Sequence, residues 1–164
     1  MAACRPPLPL VGKARKIHLF DSFEGLPPAK EELNGKTAIE YQANPDGPEY
    51  FDNCTAEEAF AREAMRLADH SNYVVYKGWF EQRVPVYPQR PIAILRLDGD
   101  WYESIYVCLE HLFPHVTPGG IVILDEYLAW DGCVRAVHDY LSRTQSTSRL
   151  LLWHDTVSYI VKKV

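Results

Sequence analysis

Carboxylates follow two of the apolar runs of this chain, at a spacing that could bring them to one point. Asp98 ends the run 92–97, and Asp125 with Glu126 end the run 121–124. If these runs are neighbouring parallel strands joined by a helix, their carboxyl ends meet at one sheet edge, where ligands collect. Oxygen ligands suit a hard divalent cation such as Mg²⁺. We therefore predict that Asp98, Asp125 and Glu126 form a metal site.

A nucleoside is the second ligand that the residue types indicate. Asp21 closes the early apolar run 17–20, and an acid in that position of a nucleotide-binding sheet accepts hydrogen bonds from ribose hydroxyls. Trp79 and Phe80 follow the run 73–76 and could stack on an adenine, although packing in a core is the commoner fate of such a pair.

Helix capping is the structural alternative for the acids. Asp100 stands three residues before Glu103, which is the spacing of a capping box, so the spacing leaves both a cap and a chemical role open for Asp100. Asp98 and Asp125 instead end buried strands, where an unpaired charge is costly. A ligand role is therefore favoured for those two residues.

The elements that position these residues alternate between strands and helices. Apolar runs predict strands near 17–20, 73–76, 92–97, 121–124, 150–153 and 156–161, and apolar stripes predict helices over 55–69, 101–112 and 134–141. Near-continuous apolar strands linked by helices indicate an α/β fold with a parallel sheet covered on both faces. Residues 21–63 are acidic and rich in turn signals, which predicts a long irregular insert.

Composition narrows the class of protein and of partner. The 164 residues make about one domain, and a net charge of −5 argues against nucleic acid as a partner, which leaves small molecules. Apolar runs are too short to span a membrane. The four cysteines, Cys4, Cys54, Cys108 and Cys133, form no C-x-x-C pair, which favours a reducing, cytoplasmic location. Residues 1–16 contain three prolines and are expected to be a disordered leader, with the domain beginning at 17.

Four motifs along the chain resemble one family in order and content. They are Asp21-Ser22-Phe23-Glu24-Gly25-Leu26-Pro27, then Lys77-Gly78-Trp79-Phe80-Glu81, then the segment 96–104 (RLDGDWYES), then Pro118-Gly119-Gly120 with Asp125-Glu126-Tyr127. As a set they resemble the macrocin O-methyltransferase (TylF-type) family. The resemblance implies a Rossmann-like class I fold, mostly parallel with an antiparallel C-terminal strand. It also implies S-adenosylmethionine as the cofactor and Mg²⁺-assisted methylation of a sugar-like or other small-molecule hydroxyl.

The resemblance also implies a role for individual residues. Asp98, Asp125 and Glu126 would bind the metal, Asp98 would also face the cofactor, and Asp100 would be the general base for the acceptor hydroxyl. Asp21 and Ser22 would contact the ribose, and Gly78, Trp79 and Phe80 would flank the adenine. The family more often has a second Asp at position 126, and a Glu there keeps the charge with one more methylene.

One part of a class I methyltransferase is missing from this sequence. None of its nine glycines form the pattern G-x-G-x-x-G, and residues 1–16 are too short and too proline-rich for a central strand, its loop and a helix. We therefore expect an N-terminally truncated domain. An incomplete gene model is the favoured explanation over completion by another chain or a degenerate relative.

Two other functions stay open from the sequence. A non-catalytic module that keeps the nucleoside and metal edge is the first, and a D-x-D glycosyltransferase using Asp98 and Asp100 is the second. The stretch 35–55 has no clear counterpart in the family, which leaves the acceptor open. An exposed sheet edge at the missing strand is expected to favour a homo-oligomer.

Overall fold

The computed structural model describes residues 15–163. In chain order the elements are β1 (Ile17–Asp21), α1 (Glu31–Ala43), α2 (Glu58–Leu67), β2 (Tyr73–Lys77), α3 (Phe80–Arg83), β3 (Ile92–Leu97), α4 (Tyr102–Leu112), β4 (Val116–Leu124), α5 (Asp131–Arg143), β5 (Leu150–Trp153) and β6 (Val157–Val161). The strands lie where the apolar runs predicted them. Cys4 and nearly all of the predicted leader fall outside the described residues.

The strands form two sheets. β1 pairs in parallel with β2, and β3-β4-β6-β5 form a second sheet in which β3 and β4 are parallel and β6 is antiparallel to both of its neighbours. This arrangement confirms the predicted α/β class, mostly parallel with an antiparallel C-terminal strand. The single continuous sheet that the sequence suggested is divided, because β1 and β3 are not hydrogen-bonded to each other.

The core lies on one face of the four-stranded sheet. Leu97, Val122, Leu124 and Ile160 are almost fully buried, and they belong to one apolar cluster with residues of α4 and α5. Apolar burial of this kind contributes ~25 cal/mol per Å² and is the main force that holds the helices on the sheet. The opposite face carries exposed apolar side chains, namely Ile94, Ile121, Leu151 and Trp153. The prediction of helices on both faces is therefore met on only one face among residues 15–163.

α1 corrects the prediction of an irregular insert. Residues 31–43 are helical, with a break at Gly35, where φ is 79° and ψ is 171°. Any other residue is strained at this φ, and its side chain would also meet Asp131 Oδ2, on α5, at 2.7 Å. The helix was missed because its apolar residues form no stripe and a glycine interrupts it.

The capping interpretation of Asp100 is not met. α2 begins at Glu58 rather than at the predicted start at 55, and neither α2 nor α4 has a side-chain hydrogen bond from its N-cap residue. The N-cap residue of α4 is Trp101, one position after Asp100. Among the described helices, none is both long and apolar enough to cross a membrane.

Candidate functional site

The carboxyl ends of two parallel strand pairs, β1 with β2 and β3 with β4, open into one cavity of about 600 Å³. Asp21 ends β1, Trp79 follows β2, Asp98 follows β3 and Glu126 follows β4, and all four residues line the cavity. A volume of this size lies within the usual range of ~300–1,000 Å³ for small-molecule sites. Of the acids that end or follow these strands, Asp21, Asp98 and Glu126 line the cavity and Asp125 does not.

Three carboxylates come together in the cavity. One oxygen each from Asp98, Asp100 and Glu126 lie within 4.8 Å of one another. Asp98 is exposed, Glu126 is partly buried and Asp100 is buried. Burial and then the neighbouring charges of Asp98 and Asp125 raise the pKa of Glu126. The crowded carboxylates repel one another, and a hard divalent cation bound between them relieves this repulsion.

Asp100 is the most perturbed of these groups. Its residue surface is 9% exposed, and burial, followed by the charges of Glu126, Asp98 and Asp125, raises its pKa from 3.8 to about 7. Its backbone has φ of 58°, a left-handed conformation that is uncommon for residues other than glycine. Because Asp100 does not cap α4, the capping interpretation of this residue is excluded and its buried carboxylate needs another explanation.

Asn34 takes the capping role that the sequence left open for Asp100. Its Oδ1 atom accepts a hydrogen bond of 2.7 Å from the backbone N–H of Tyr102, the first residue of α4. Asn34 is 1% exposed, and its Nδ2 atom donates to Glu103 at 3.4 Å. Glu103 in turn pairs with Lys30 at 2.8 Å. The cap comes from α1, a distant part of the sequence, so no local pattern could have identified it.

Asp125 occupies a different position from the one predicted for it. Its carboxylate pairs with Arg96, and the same Nη2 atom of Arg96 lies 2.9 Å from Asp98 Oδ2. The group of three carboxylates within 4.8 Å does not include Asp125. Arg96 therefore links Asp125 to Asp98, and the metal role of Asp125 stays a prediction.

The residues predicted for the nucleoside surround the β1 and β2 ends of the cavity. Asp21 accepts a hydrogen bond from the N–H of Phe23 at 2.7 Å through one oxygen. Ser22 is buried, and its hydroxyl donates to the carbonyl of Gly25 at 3.2 Å, which fixes the turn after β1. The N–H of Gly78 donates to the carbonyl of Asp21 at 2.9 Å, so Gly78 joins the two strand ends rather than lining the cavity. Trp79 and Phe80 do line it.

A second group of aromatic residues lines the cavity and was not singled out from the sequence. Tyr41 on α1, Phe51 in the following loop and Trp130 before α5 are the members of this group, which we call the aromatic wall. The Tyr41 and Trp130 ring centroids are 5.5 Å apart in an edge-to-face arrangement. The available signal was the aromatic content of residues 21–63, which include Tyr41 and Phe51. It was overlooked because this segment was expected to be irregular.

Polar side chains join the segment around α1 to the rest of the site. Gln42 Nε2 donates to the carbonyl of Pro27 at 3.0 Å and to Asn53 Oδ1 at 3.1 Å. The indole N–H of Trp101 donates to the same Pro27 carbonyl at 2.8 Å. Trp101 is 1% exposed, so these bonds tie the loop before α1 to the protein core.

Comparison with known proteins gives matches to methyltransferases. The family model "Macrocin-O-methyltransferase (TylF)" matches residues 9–161. The 8-demethyl-8-(2,3-dimethoxy-alpha-L-rhamnosyl)-tetracenomycin-C 4'-O-methyltransferase of Streptomyces olivaceus is 36% identical over 142 residues, which are 79% of this chain and 48% of that protein. The demethyldecarbamoylnovobiocin O-methyltransferase of Streptomyces niveus is 39% identical over 142 residues, 84% of this chain and 51% of that protein.

Solved structures agree with these sequence matches. The O-methyltransferase NovP superposes with a TM-score of 0.78 at 28% identity, over 93% of this chain and 62% of that chain. The calicheamicin methyltransferase CalS11 superposes with a TM-score of 0.65 at 25% identity, over 90% of this chain and 60% of that chain. The chain spans about half the length of the curated relatives that it matches. Since the family model covers nearly all of the described fold, the chain belongs to the macrocin O-methyltransferase (TylF) family.

Proposed function

We propose that the protein transfers a methyl group from S-adenosylmethionine to a hydroxyl of a sugar-like acceptor, with Mg²⁺ bound at the acid cluster. The observation that carries this proposal is the convergence of Asp98, Asp100 and Glu126 within 4.8 Å in a cavity at the strand ends. The relative from Streptomyces olivaceus is named as an O-methyltransferase of a rhamnosyl-tetracenomycin, which supports a sugar hydroxyl as the acceptor.

The carboxylates of the acid cluster fit a divalent cation such as Mg²⁺. We propose that Asp98 and Glu126 hold the cation, because their carboxylate oxygens are hard donors and their crowding is relieved by a positive charge. A carboxylate oxygen of Glu126 lies in the cluster, and we propose that it serves in place of the Asp that the family more often has at this position. Asp125 is proposed to act through Arg96, which contacts Asp98, although direct ligation is the alternative that the sequence favoured.

The cofactor would be held by the β1 and β2 ends. We propose that Asp21 accepts hydrogen bonds from the ribose hydroxyls, with Ser22 fixing the turn that carries it. Trp79 and Phe80 would flank the adenine, and Gly78 would set the position of Trp79. Asp98 borders the same cavity and would face the cofactor as well as the cation.

Asp100 is proposed as the general base. A base is most effective when its pKa lies near the operating pH, and the pKa of Asp100 is raised to about 7. The carboxylate takes the proton of the acceptor hydroxyl, and the fixed turn at Gly99 and Trp101 holds that carboxylate in place. When bound, the cation stabilises negative charge on the acceptor oxygen and the cofactor supplies the methyl group. The protein's remaining task is to align the acceptor with the donor.

The proposal is tested by mass spectrometry of an acceptor glycoside incubated with the protein, S-adenosylmethionine and Mg²⁺. We expect a gain of one methyl group that is lost with EDTA and in Asp98→Ala, while Glu110→Gln, at an exposed position on α4, behaves as the wild type. Methyl transfer that persists unchanged in EDTA would reject the metal. The non-catalytic alternative predicts cofactor binding without transfer, and the glycosyltransferase alternative predicts Mn²⁺-dependent binding of a nucleotide sugar without binding of S-adenosylhomocysteine.

Association and location complete the proposal. The exposed apolar side chains on the open face of the four-stranded sheet support a homo-oligomer. The described cysteines Cys54, Cys108 and Cys133 are free thiols, which supports a reducing, cytoplasmic compartment. The acidic net charge supports a small molecule, rather than nucleic acid or a membrane surface, as the partner.

A further inference from the structure

Arg96 lies beside the acid cluster but has no chemical step in the proposed reaction. It belongs to β3, in which Leu95 and Leu97 are buried in the core. Because side chains alternate along a strand, Arg96 projects to the other side, over the open face of the four-stranded sheet. Its side chain is 56% exposed. The guanidinium group is therefore held by ion pairs rather than by packing.

Strand pairing places both acidic partners of Arg96 next to each other. Leu97 of β3 stands opposite Leu124 of β4, and the N–H of Asp125 donates to the carbonyl of Leu97 at 3.0 Å. Asp98 and Asp125 consequently follow adjacent parallel strands side by side. The Arg96 Nη2 atom lies 2.9 Å from Asp98 Oδ2 and also contacts Asp125 Oδ2. One guanidinium group thus bridges a member of the acid cluster and a carboxylate outside it.

The positive charge of Arg96 stands against an excess of negative charge. Among the described residues that line the cavity, none is Lys, Arg or His, and five are acidic, namely Asp21, Glu49, Asp98, Asp100 and Glu126. Burial, Asp98 and Asp125 raise the pKa of Glu126, and the charge of Arg96 opposes this rise. The effect of Arg96 therefore extends beyond its direct contact with Asp98 to a second member of the cluster.

We propose that Arg96 is a built-in counter-ion of the acid cluster, and that a divalent cation displaces it from Asp98. The inference rests on the proposed function and adds how cation binding is regulated at the same site. A guanidinium group keeps its charge throughout the physiological pH range, so it repels a cation bound by the same carboxylate and yields only by moving. Asp125 remains as its partner, so Arg96 leaves Asp98 without losing its ion pair.

Competition between the two cations lowers the affinity of the site. Without a divalent cation, Arg96 limits the repulsion within the cluster. When a divalent cation binds, separating Arg96 from Asp98 opposes the binding. Both side chains are partly open to solvent, which screens the pair and keeps this effect moderate. Filling of the site then follows the concentration of the divalent cation.

Mn²⁺ binding to the full chain, followed by electron paramagnetic resonance, tests this inference. We expect Arg96→Gln to bind Mn²⁺ at least fivefold more tightly than the wild type, whereas Arg96→Lys, which keeps the charge, stays within twofold. Arg62→Gln is the matched control, because the Arg62 side chain is 54% exposed, pairs with Glu58 on α2 and carries the same charge. Its affinity should equal that of the wild type.

Urea denaturation gives a second readout that does not depend on turnover. In EDTA it establishes that each variant is folded. Because a ligand stabilises the folded state in proportion to the logarithm of its affinity, Mg²⁺ should raise the unfolding midpoint of Arg96→Gln more than that of the wild type. An equal rise in both proteins would overturn the competition.

The outcomes separate this inference from the proposed function. Mn²⁺ binding by the wild type that is equal or weaker in Arg96→Gln would overturn the role of Arg96 and leave the proposed metal site standing. Equal gains in Arg96→Gln and Arg62→Gln would also overturn it, because net charge alone would then explain the effect. Tighter binding by Arg96→Gln, with no methyl transfer by the wild type, would support the role of Arg96 and reject the methyltransferase activity. Absence of Mn²⁺ binding in both proteins would reject the inference together with the metal.

Discussion

Replacing Asp100 with Asn isolates the energetic cost of the buried acid. Asn has nearly the same shape but carries no charge, so Asp100→Asn removes the repulsion from Glu126 and Asp98 without opening a cavity. Moving the pKa of a carboxyl from 3.8 to about 7 corresponds to ~4 kcal/mol between the two protonation states. Because the site is open to solvent on one side, we expect about 2–4 kcal/mol in practice.

The sign of the pH dependence follows from the raised pKa of Asp100. The folded chain binds this proton more tightly than the unfolded chain, so the stabilisation is fully present below pH 3.8 and is lost as pH rises towards 7. The Asp100→Asn variant carries no ionisable group at this position, so its stability does not fall through this effect as pH rises. In EDTA, the variant should match the wild type near pH 4 and exceed its free energy of unfolding by about 2–4 kcal/mol at pH 8.

Urea denaturation between pH 4 and 9, with EDTA or with Mg²⁺, measures this difference. Asp46→Asn, at an exposed position in the loop after α1, is the matched control and should follow the wild type. At pH 8, Mg²⁺ should reduce the difference in free energy of unfolding between the variant and the wild type, because it stabilises the folded wild type. The variant should also lose turnover while still binding metal. A difference below about 0.5 kcal/mol that is constant with pH would refute the electrostatic reasoning.

Three further predictions address the neighbouring residues and the cofactor. Asp125→Asn should keep Mn²⁺ affinity within threefold, whereas Asp98→Asn should weaken it at least tenfold in the same electron paramagnetic resonance titration; equal losses would make Asp125 a ligand. Asn34→Ala should lower the free energy of unfolding by about 1–2 kcal/mol through loss of the buried cap on α4, with exposed Asn44→Ala near zero in urea melts. The 164 residues should bind S-adenosylmethionine only weakly, since none of their glycines forms the pattern G-x-G-x-x-G, and micromolar affinity by calorimetry would contradict this.

The sequence was sufficient to locate the strands and the acids at their ends. The run 121–124 is apolar throughout and the run 92–97 is apolar apart from Arg96, and the acid that follows each run lies where the strand ends. Parallel pairing then brings Asp98 and Glu126 to one edge whatever the loops do. This part of the site follows from a local pattern and a topological rule.

The parts that were missed depend on tertiary contacts. α1 has no apolar stripe, and it is held instead by close approach to α5 at Gly35 and by the hydrogen bond from Tyr102 to Asn34. The capping spacing of Asp100 and Glu103 was misleading because Glu103 binds Lys30 and the cap comes from Asn34. Arg96 diverts Asp125 from the cluster in the same way, through a side chain two residues before Asp98.

Mn²⁺ binding, followed by electron paramagnetic resonance, tests most directly whether the acid cluster is a cation site. Mn²⁺ prefers the same oxygen ligands as Mg²⁺ and is visible by this method. We predict one bound Mn²⁺ per wild-type chain, displaced by Mg²⁺, with affinity lowered at least tenfold in Glu126→Gln and unchanged in Glu110→Gln. Absence of a bound ion in the wild type, or equal affinity in Glu126→Gln, would contradict the assignment of the cluster.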